Sequence, residues 1–185
     1  MRAPQSPRVD GSLRRWGWHQ LDPRFANRLV RDAQVGRGDV VLDIGAGRGA
    51  ITLPLVRAGA TVIAVERHRD RAAELRRRFP GITVVEADAS DLRLPRQPFH
   101  VVANPPFVIT SALLRRLLQP GSRLSSAHLV LDERALIRWT GPDAPGAGRW
   151  RRDFDVTVTD RLPRSAFHPA PSVPCRVLHL RRRRR

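Results

Sequence analysis

The sequence predicts an α/β fold: a mostly parallel sheet of seven strands with helices between them and an antiparallel end. Three observations carry this. Short apolar runs alternate with helical-period segments from residue 40 to 139. The early strands end at polar residues followed by Gly-, Pro- or acid-rich turns, as in parallel sheets with right-handed crossovers. Past residue 150 the alternation stops, and two strands follow with only a Pro-rich connection between them.

Taken in order, residues 1–15 are polar, rich in Pro and Arg, and are read as a loose basic arm before a domain spanning 16–180. Asp22-Pro23 reads as an N-cap with Pro at the first helical position. Phe25, Ala26, Leu29 and Val30 then share one helical face. Residues 40–44 form a short buried strand, 45–49 a glycine turn and 50–58 a helix. A strand at 61–65, an Arg-rich helix at 69–79, a strand at 82–86 and a loop at 87–97 follow. Next come a strand at 100–103, a helix at 110–118, a strand at 127–131 and a helix at 132–139. The Gly- and Pro-rich stretch 141–148 is expected to be a flexible loop. Strands at 154–159 and 175–180 flank the Pro-rich segment 163–174, and 181–185 is a basic tail without structure of its own.

A chain of 185 residues with 41% apolar content can build one real core. The formal net charge is +17, and all 34 basic residues are Arg. Such a charge opposes compaction and favours a polyanionic partner, and Arg presents a planar fork suited to phosphate and to base stacking. Nucleic acid is the leading partner; an anionic membrane surface is the weaker one. No apolar run is long enough for a transmembrane helix, and the first ten residues carry no secretory signal. A single cysteine, Cys175, excludes an internal disulfide and a cysteine-based zinc site, and suits a reducing cytoplasm. The histidines show no metal-ligand spacing, so no metal is expected. The expected state is a monomer.

Asn104-Pro105-Pro106-Phe107, after the apolar run 101–103, carries the most chemical information. The Asn amide oxygen can accept from a planar NH2 group. Pro105 offers a carbonyl without an N–H, and Pro106 stiffens the turn. Phe107 offers a flat face for a ring; packing under the sheet edge is the competing role. Together they form a clamp for an exocyclic amine.

Asp43-Ile44-Gly45-Ala46-Gly47-Arg48-Gly49 joins a strand to a helix. Glycines permit a sharp turn and close approach to a ligand, and a dinucleotide turn could look the same. Two details favour S-adenosylmethionine (SAM). Asp43 places a carboxylate where a cationic, amine-bearing ligand wants one and a pyrophosphate does not. Glu66 ends the next strand, where an acid can accept both ribose hydroxyls. Asp88, with Ala89 after it, is placed to accept from the adenine amine. Any one of these acids could be a helix cap or a solvated turn. Three at successive strand ends, with the glycine turn and the clamp, converge on one crevice at the carboxyl edge of the sheet.

These segments resemble the rRNA adenine-N6 methyltransferases, specifically the Erm type that confers macrolide-lincosamide-streptogramin B resistance. The resemblance covers residues 16 to 180. It rests on Val41–Gly47, Val65-Glu66, Ala87-Asp88-Ala89, Val102–Phe107 and Leu162–Val173, which holds a Phe-x-Pro-x-Pro-x-Val pattern from Phe167. Trp16-Gly17-Trp18-His19 is similar to short actinobacterial members. Three departures stand out. Trp18-His19-Gln20-Leu21 occupies the place of a Gln-Asn-Phe-Leu type of cofactor motif. Cys175 replaces a Ser. Typical members also continue into a small helical domain that helps hold RNA, whereas this chain stops at Arg185, so that grip would fall to the Arg clusters.

The resemblance implies a Rossmann-like SAM-dependent methyltransferase fold. It implies a cofactor site of His19, Leu21, Asp43, Gly45, Ala46, Gly47, Glu66, Asp88, Ala89 and Asn104, and a transfer site of Asn104, Pro105, Phe107 and Phe167, with the two Phe rings sandwiching the target base. Protein-free or precursor 23S rRNA is the implied partner. Arg14, Arg15, Trp16, Arg115, Arg116 and Arg164 are the expected RNA contacts; Trp16 could equally cover SAM or pack in the core. A small-subunit rRNA adenine dimethyltransferase, a DNA or protein-glutamine methyltransferase and a non-catalytic RNA-binding relative are the alternatives.

Overall fold

A computed structural model describes residues 19–159 and 161–184. Element order is β1 (Gln20–Leu21), α1 (Pro23–Ala33), β2 (Val40–Ile44), α2 (Thr52–Arg57), β3 (Thr61–Val65), α3 (Arg69–Arg78), β4 (Thr83–Val85), β5 (Phe99–Ala103), α4 (Thr110–Leu117), β6 (Leu124–Asp132), α5 (Glu133–Thr140), α6 (Ala147–Asp153), β7 (Phe154–Val158), β8 (Phe167–His168) and β9 (Cys175–Arg182). Single 3₁₀ turns at Phe107–Ile109 and Arg164–Ala166 precede α4 and β8.

Seven strands form one sheet in the order β4-β3-β2-β5-β6-β9-β7. The pairs from β4 to β6 are parallel, and β9 runs antiparallel to both β6 and β7. This is the expected Rossmann-like arrangement with an antiparallel end. The chain winds outward from β2 to β4, then returns to place β5 on the other side of β2. That reversal opens a crevice beyond the carboxyl ends of β2 and β5, where α/β sheets bind ligands.

Side-chain alternation sorts the sheet into two faces. Val41, Val102, Val130 and Val177 pack under Ala26, Leu29, Val30 and Ala33 of α1. Leu42, Val101, Ala103, Leu129, Leu131 and Leu178 pack against Leu113, Leu114 and Leu117 of α4 and against Trp139 and Trp150. Helix α1 starts as expected: the Asp22 carboxylate accepts from the Arg24 backbone N–H at 2.9 Å, and Pro23 fills the first helical position.

Several expectations are corrected. The helix expected over 50–58 is confined to Thr52–Arg57, because Gly45, Gly47 and Gly49 all take positive φ and the turn persists past them. The loop expected over 141–148 gives way to α6 from Ala147, with Gly148 inside it. Buried Trp150 anchors that helix, its indole N–H donating to the Pro145 carbonyl at 2.9 Å, and Arg151 donates to the carbonyls of Thr140 and Gly141. The Pro-rich connection contains β8, which pairs antiparallel with β1 in a second, two-stranded sheet. Strand β6 begins at Leu124, three residues before the expected start, and β9 extends through Arg181 and Arg182, the first residues of the basic tail. Arg182 donates to the carbonyls of Leu124 and Ser122 and covers the Phe154 ring, so sheet pairing absorbs part of an Arg run that reads as solvated in sequence.

Candidate cofactor and methyl-acceptor site

Two adjoining concavities meet at Gly45. One, of about 240 Å³, is lined by Val65, Glu66, His68, Asp88, Ala89 and Pro106, among others. The other includes His19, Leu21, Asp43, Ala46, Gly47 and Asn104 in its lining. Every residue expected to bind cofactor therefore borders this crevice. Gly45 has φ +73°, and a Cβ built on it would lie 2.8 Å from Pro106 Cδ. Only glycine lets the first turn approach the Asn104–Phe107 loop so closely.

The three acids differ in environment. Asp43 is 1% exposed and accepts from the Thr52 hydroxyl at 2.6 Å. Burial pushes its carboxyl up to about 7, against the Thr52 bond that lowers it, and the charge of Glu66 raises it further. Glu66 is 4% exposed and accepts the backbone N–H groups of Gly47 and His68, each at 2.8 Å. Arg71 lies 3.2 Å from the same carboxylate. Asp88 accepts from the backbone N–H and hydroxyl of Ser90 at 2.9 and 2.8 Å, and these bonds hold its carboxyl below the usual range. Its other oxygen faces Arg67 at 3.2 Å.

Asn104 ends β5. Its side-chain N–H donates to the His19 carbonyl at 2.5 Å, which fixes the amide plane. Its Oδ1 is buried and has no hydrogen-bond partner among the described residues. A buried acceptor without a partner is costly and rare, and one at a crevice is a ready receptor for a ligand N–H. Phe107 is half-buried, and the His19 ring stacks on it with centroids 5.6 Å apart and 28° between planes. Phe167 sits elsewhere: it is 6% exposed, pairs with Leu21 across the small sheet and packs in the α1-side core. It offers no open face here, because β8 turns Phe167 inward and His168 outward.

The expected RNA contacts divide. Arg14, Arg15 and Trp16 lie outside the described residues. Arg115 is exposed. Arg116 donates to the Leu92 carbonyl at 2.6 Å and so ties down the loop after β4. Arg164 is exposed but spends one N–H on the Pro171 carbonyl at 2.8 Å. Sequence reasoning missed Thr52, His68, Arg71, Val108 and Ile109. Only the position of Thr52, a hydroxyl nine residues past Asp43 in the first turn of α2, carries a sequence signal. No helix among the described residues is long and apolar enough to cross a membrane.

Comparison with known proteins places this geometry. The family model "Ribosomal RNA adenine dimethylase" matches residues 19–185. The ribosomal RNA small subunit methyltransferase A of Acinetobacter baylyi is 33% identical over 191 residues, covering 95% of this chain and 70% of that protein. The mycinamicin-resistance protein MyrB of Micromonospora griseorubida is 37% identical over 178 residues, covering 90% of this chain and 56% of MyrB. The crystal structure of the 23S rRNA methyltransferase ErmE superposes with a TM-score of 0.76 at 28% identity, covering 88% of this chain and 68% of that one. The chain thus spans between about half and 70% of the length of these relatives. The cofactor is SAM, and the residues present fit it: a glycine turn that admits close approach, a buried carboxylate beside that turn, and acids at the next two strand ends. Fold, site and sequence match agree, and the chain belongs to the ribosomal RNA adenine dimethylase family.

Proposed function

We propose that the protein transfers a methyl group from SAM to the N6 amine of an adenine in 23S rRNA. The observation that carries this is the buried Oδ1 of Asn104, unpartnered among the described residues and held in place by the hydrogen bond that the side-chain NH2 donates to the His19 carbonyl. SAM supplies an electrophilic methyl on a sulfonium. The chain's residues supply alignment. The N6 lone pair of adenine is delocalised into the ring, so the amine is a poor nucleophile. Asn104 Oδ1 accepts one of its hydrogens and the Pro105 carbonyl the other, which holds the nitrogen toward the methyl. Phe107 contributes a stacking surface, worth roughly 1–3 kcal/mol per base in other systems. No strong base is needed, because the proton leaves after the nitrogen has become cationic. Positioning is the main contribution, and the base must leave its stack to reach the site.

The 23S target is supported by the similarity to the 23S rRNA methyltransferase ErmE, and a resistance role by that to the mycinamicin-resistance protein MyrB. A second reading, transfer to 16S rRNA, is supported by the similarity to two small-subunit methyltransferases at 33% and 36% identity. Net charge +17 serves either RNA. The test is transfer from labelled SAM to protein-free 23S and 16S rRNA, with the modified nucleotide mapped by primer extension. Labelling of an adenine in the 23S peptidyl-transferase loop supports the resistance reading. Labelling of 16S alone selects the second. Labelling of neither, with SAM bound, overturns both.

A further inference from the structure

His19 joins three segments distant in sequence. Its carbonyl accepts from the Asn104 amide at 2.5 Å. Its ring Nδ1 lies 2.7 Å from the Pro169 carbonyl, and since a carbonyl can only accept, Nδ1 carries the proton. The same ring stacks on Phe107. The attachment continues along the chain: Gln20 pairs with His168, Leu21 with Phe167, and the Asp22 N–H donates to the Ala166 carbonyl at 2.8 Å. The imidazole is therefore wedged between the Pro-rich segment and the Phe107 ring, while its own backbone sets the plane of the Asn104 amide.

We infer that His19 is a positioning residue for the methyl acceptor, acting through Asn104 and Phe107, rather than chiefly a cofactor ligand. The tether to Pro169 fixes the ring, the ring fixes the plane of Phe107, and the carbonyl turns Asn104 so that Oδ1 is left to the substrate. If the wedge is lost, the Asn104 amide is free to rotate and Phe107 to tilt, while the glycine turn, Asp43, Glu66 and Asp88 keep the bonds described above. This rests on the proposed transfer reaction, and its test separates the two.

The test uses the full chain and the variants His19→Ala, His19→Phe and His19→Asn. Phe keeps a ring to stack but loses the Nδ1 bond; Asn keeps a donor for the Pro169 carbonyl but loses the ring. Turnover at saturating SAM is measured on whichever rRNA the unaltered protein labels, and SAM affinity by calorimetry. Misplacement of an aligned group by about 1 Å costs on the order of 100-fold. His19→Ala should accordingly lower kcat by about 10- to 100-fold with SAM affinity within about threefold, and Phe and Asn should each recover part of the loss. A second readout needs no activity. The Asn104 side-chain amide resonances, assigned by their loss in Asn104→Ala, should exchange at least about tenfold faster in His19→Ala. Unchanged exchange overturns the inference whatever RNA is labelled. So does weakened SAM binding with unchanged kcat, which would make His19 a cofactor ligand. If His19→Ala fails to fold, the comparison of Phe with Asn decides, and equality of both with the unaltered protein refutes the wedge. Failure of the unaltered protein to label any RNA sinks the transfer reading and leaves the amide-exchange result to judge His19.

Discussion

Replacing Asp43 with Asn should stabilise the ligand-free protein at pH 8 and leave it nearly unchanged at pH 4. Asp43 is 1% exposed, and burial lifts its carboxyl from 3.8 to about 7. The sign follows from proton binding. Below about 4, native and unfolded chains both hold the proton and the group is neutral to stability. Between about 4 and 7 the unfolded chain has released it while the native chain keeps it, so stability falls as pH rises. Above about 7 the native carboxylate is ionised in a buried site and the loss is complete. At about 1.4 kcal/mol per pH unit, the interval from 3.8 to about 7 amounts to about 4 kcal/mol. Asn keeps an oxygen to accept from Thr52 and has no charge to bury. Urea unfolding of both proteins from pH 4 to 8.5, without SAM, checks this: the difference should grow through that window and level off above 7. Subtraction removes the histidines, which titrate in both proteins. A difference independent of pH would refute the assignment.

Asn104→Ala should lower methyl transfer by at least about 100-fold, the scale of removing one aligned hydrogen-bonding group, while calorimetry shows SAM affinity little changed; equal loss of both would make Asn104 chiefly a cofactor residue. Gly45→Ala should destabilise the protein by about 1–3 kcal/mol and weaken SAM binding, because the new Cβ meets Pro106 Cδ at 2.8 Å and φ is +73°; thermal melts and calorimetry measure the two effects. His128, 8% exposed with its ring tilted 48° against that of His179, is pushed down to about 4 by burial first and by the neighbouring His179 second, with Asp32 opposing. It contributes stability above about 6.5 that is lost as pH falls toward 4, about 3 kcal/mol in all. His128→Leu should therefore flatten the acid limb of the stability curve, and a limb of unchanged slope would sink this reading.

The sequence by itself determined the crevice. Asp43, the glycine turn, Glu66, Asp88 and Asn104 sit at strand ends, and a parallel sheet brings successive strand ends to one edge whatever the details of packing. The strands from 40 to 103 were legible for the same reason, since buried parallel strands read as continuous apolar runs. Non-local contacts were not legible. Pairing of Gln20-Leu21 with Phe167-His168 joins segments almost 150 residues apart, and nothing in either stretch marks the other. That pairing decided that Phe167 is core, that His19 meets Phe107, and that the Asn104 amide turns its nitrogen inward and leaves its oxygen unpartnered. The Arg clusters show the same division. Net charge +17 pointed to a polyanion from composition alone, but only the tertiary structure separated Arg115, exposed, from Arg116, Arg151 and Arg182, whose guanidinium groups are bound to backbone carbonyls. Charge follows from composition, whereas a hydrogen bond needs its acceptor within about 3 Å, and that proximity exists only after folding.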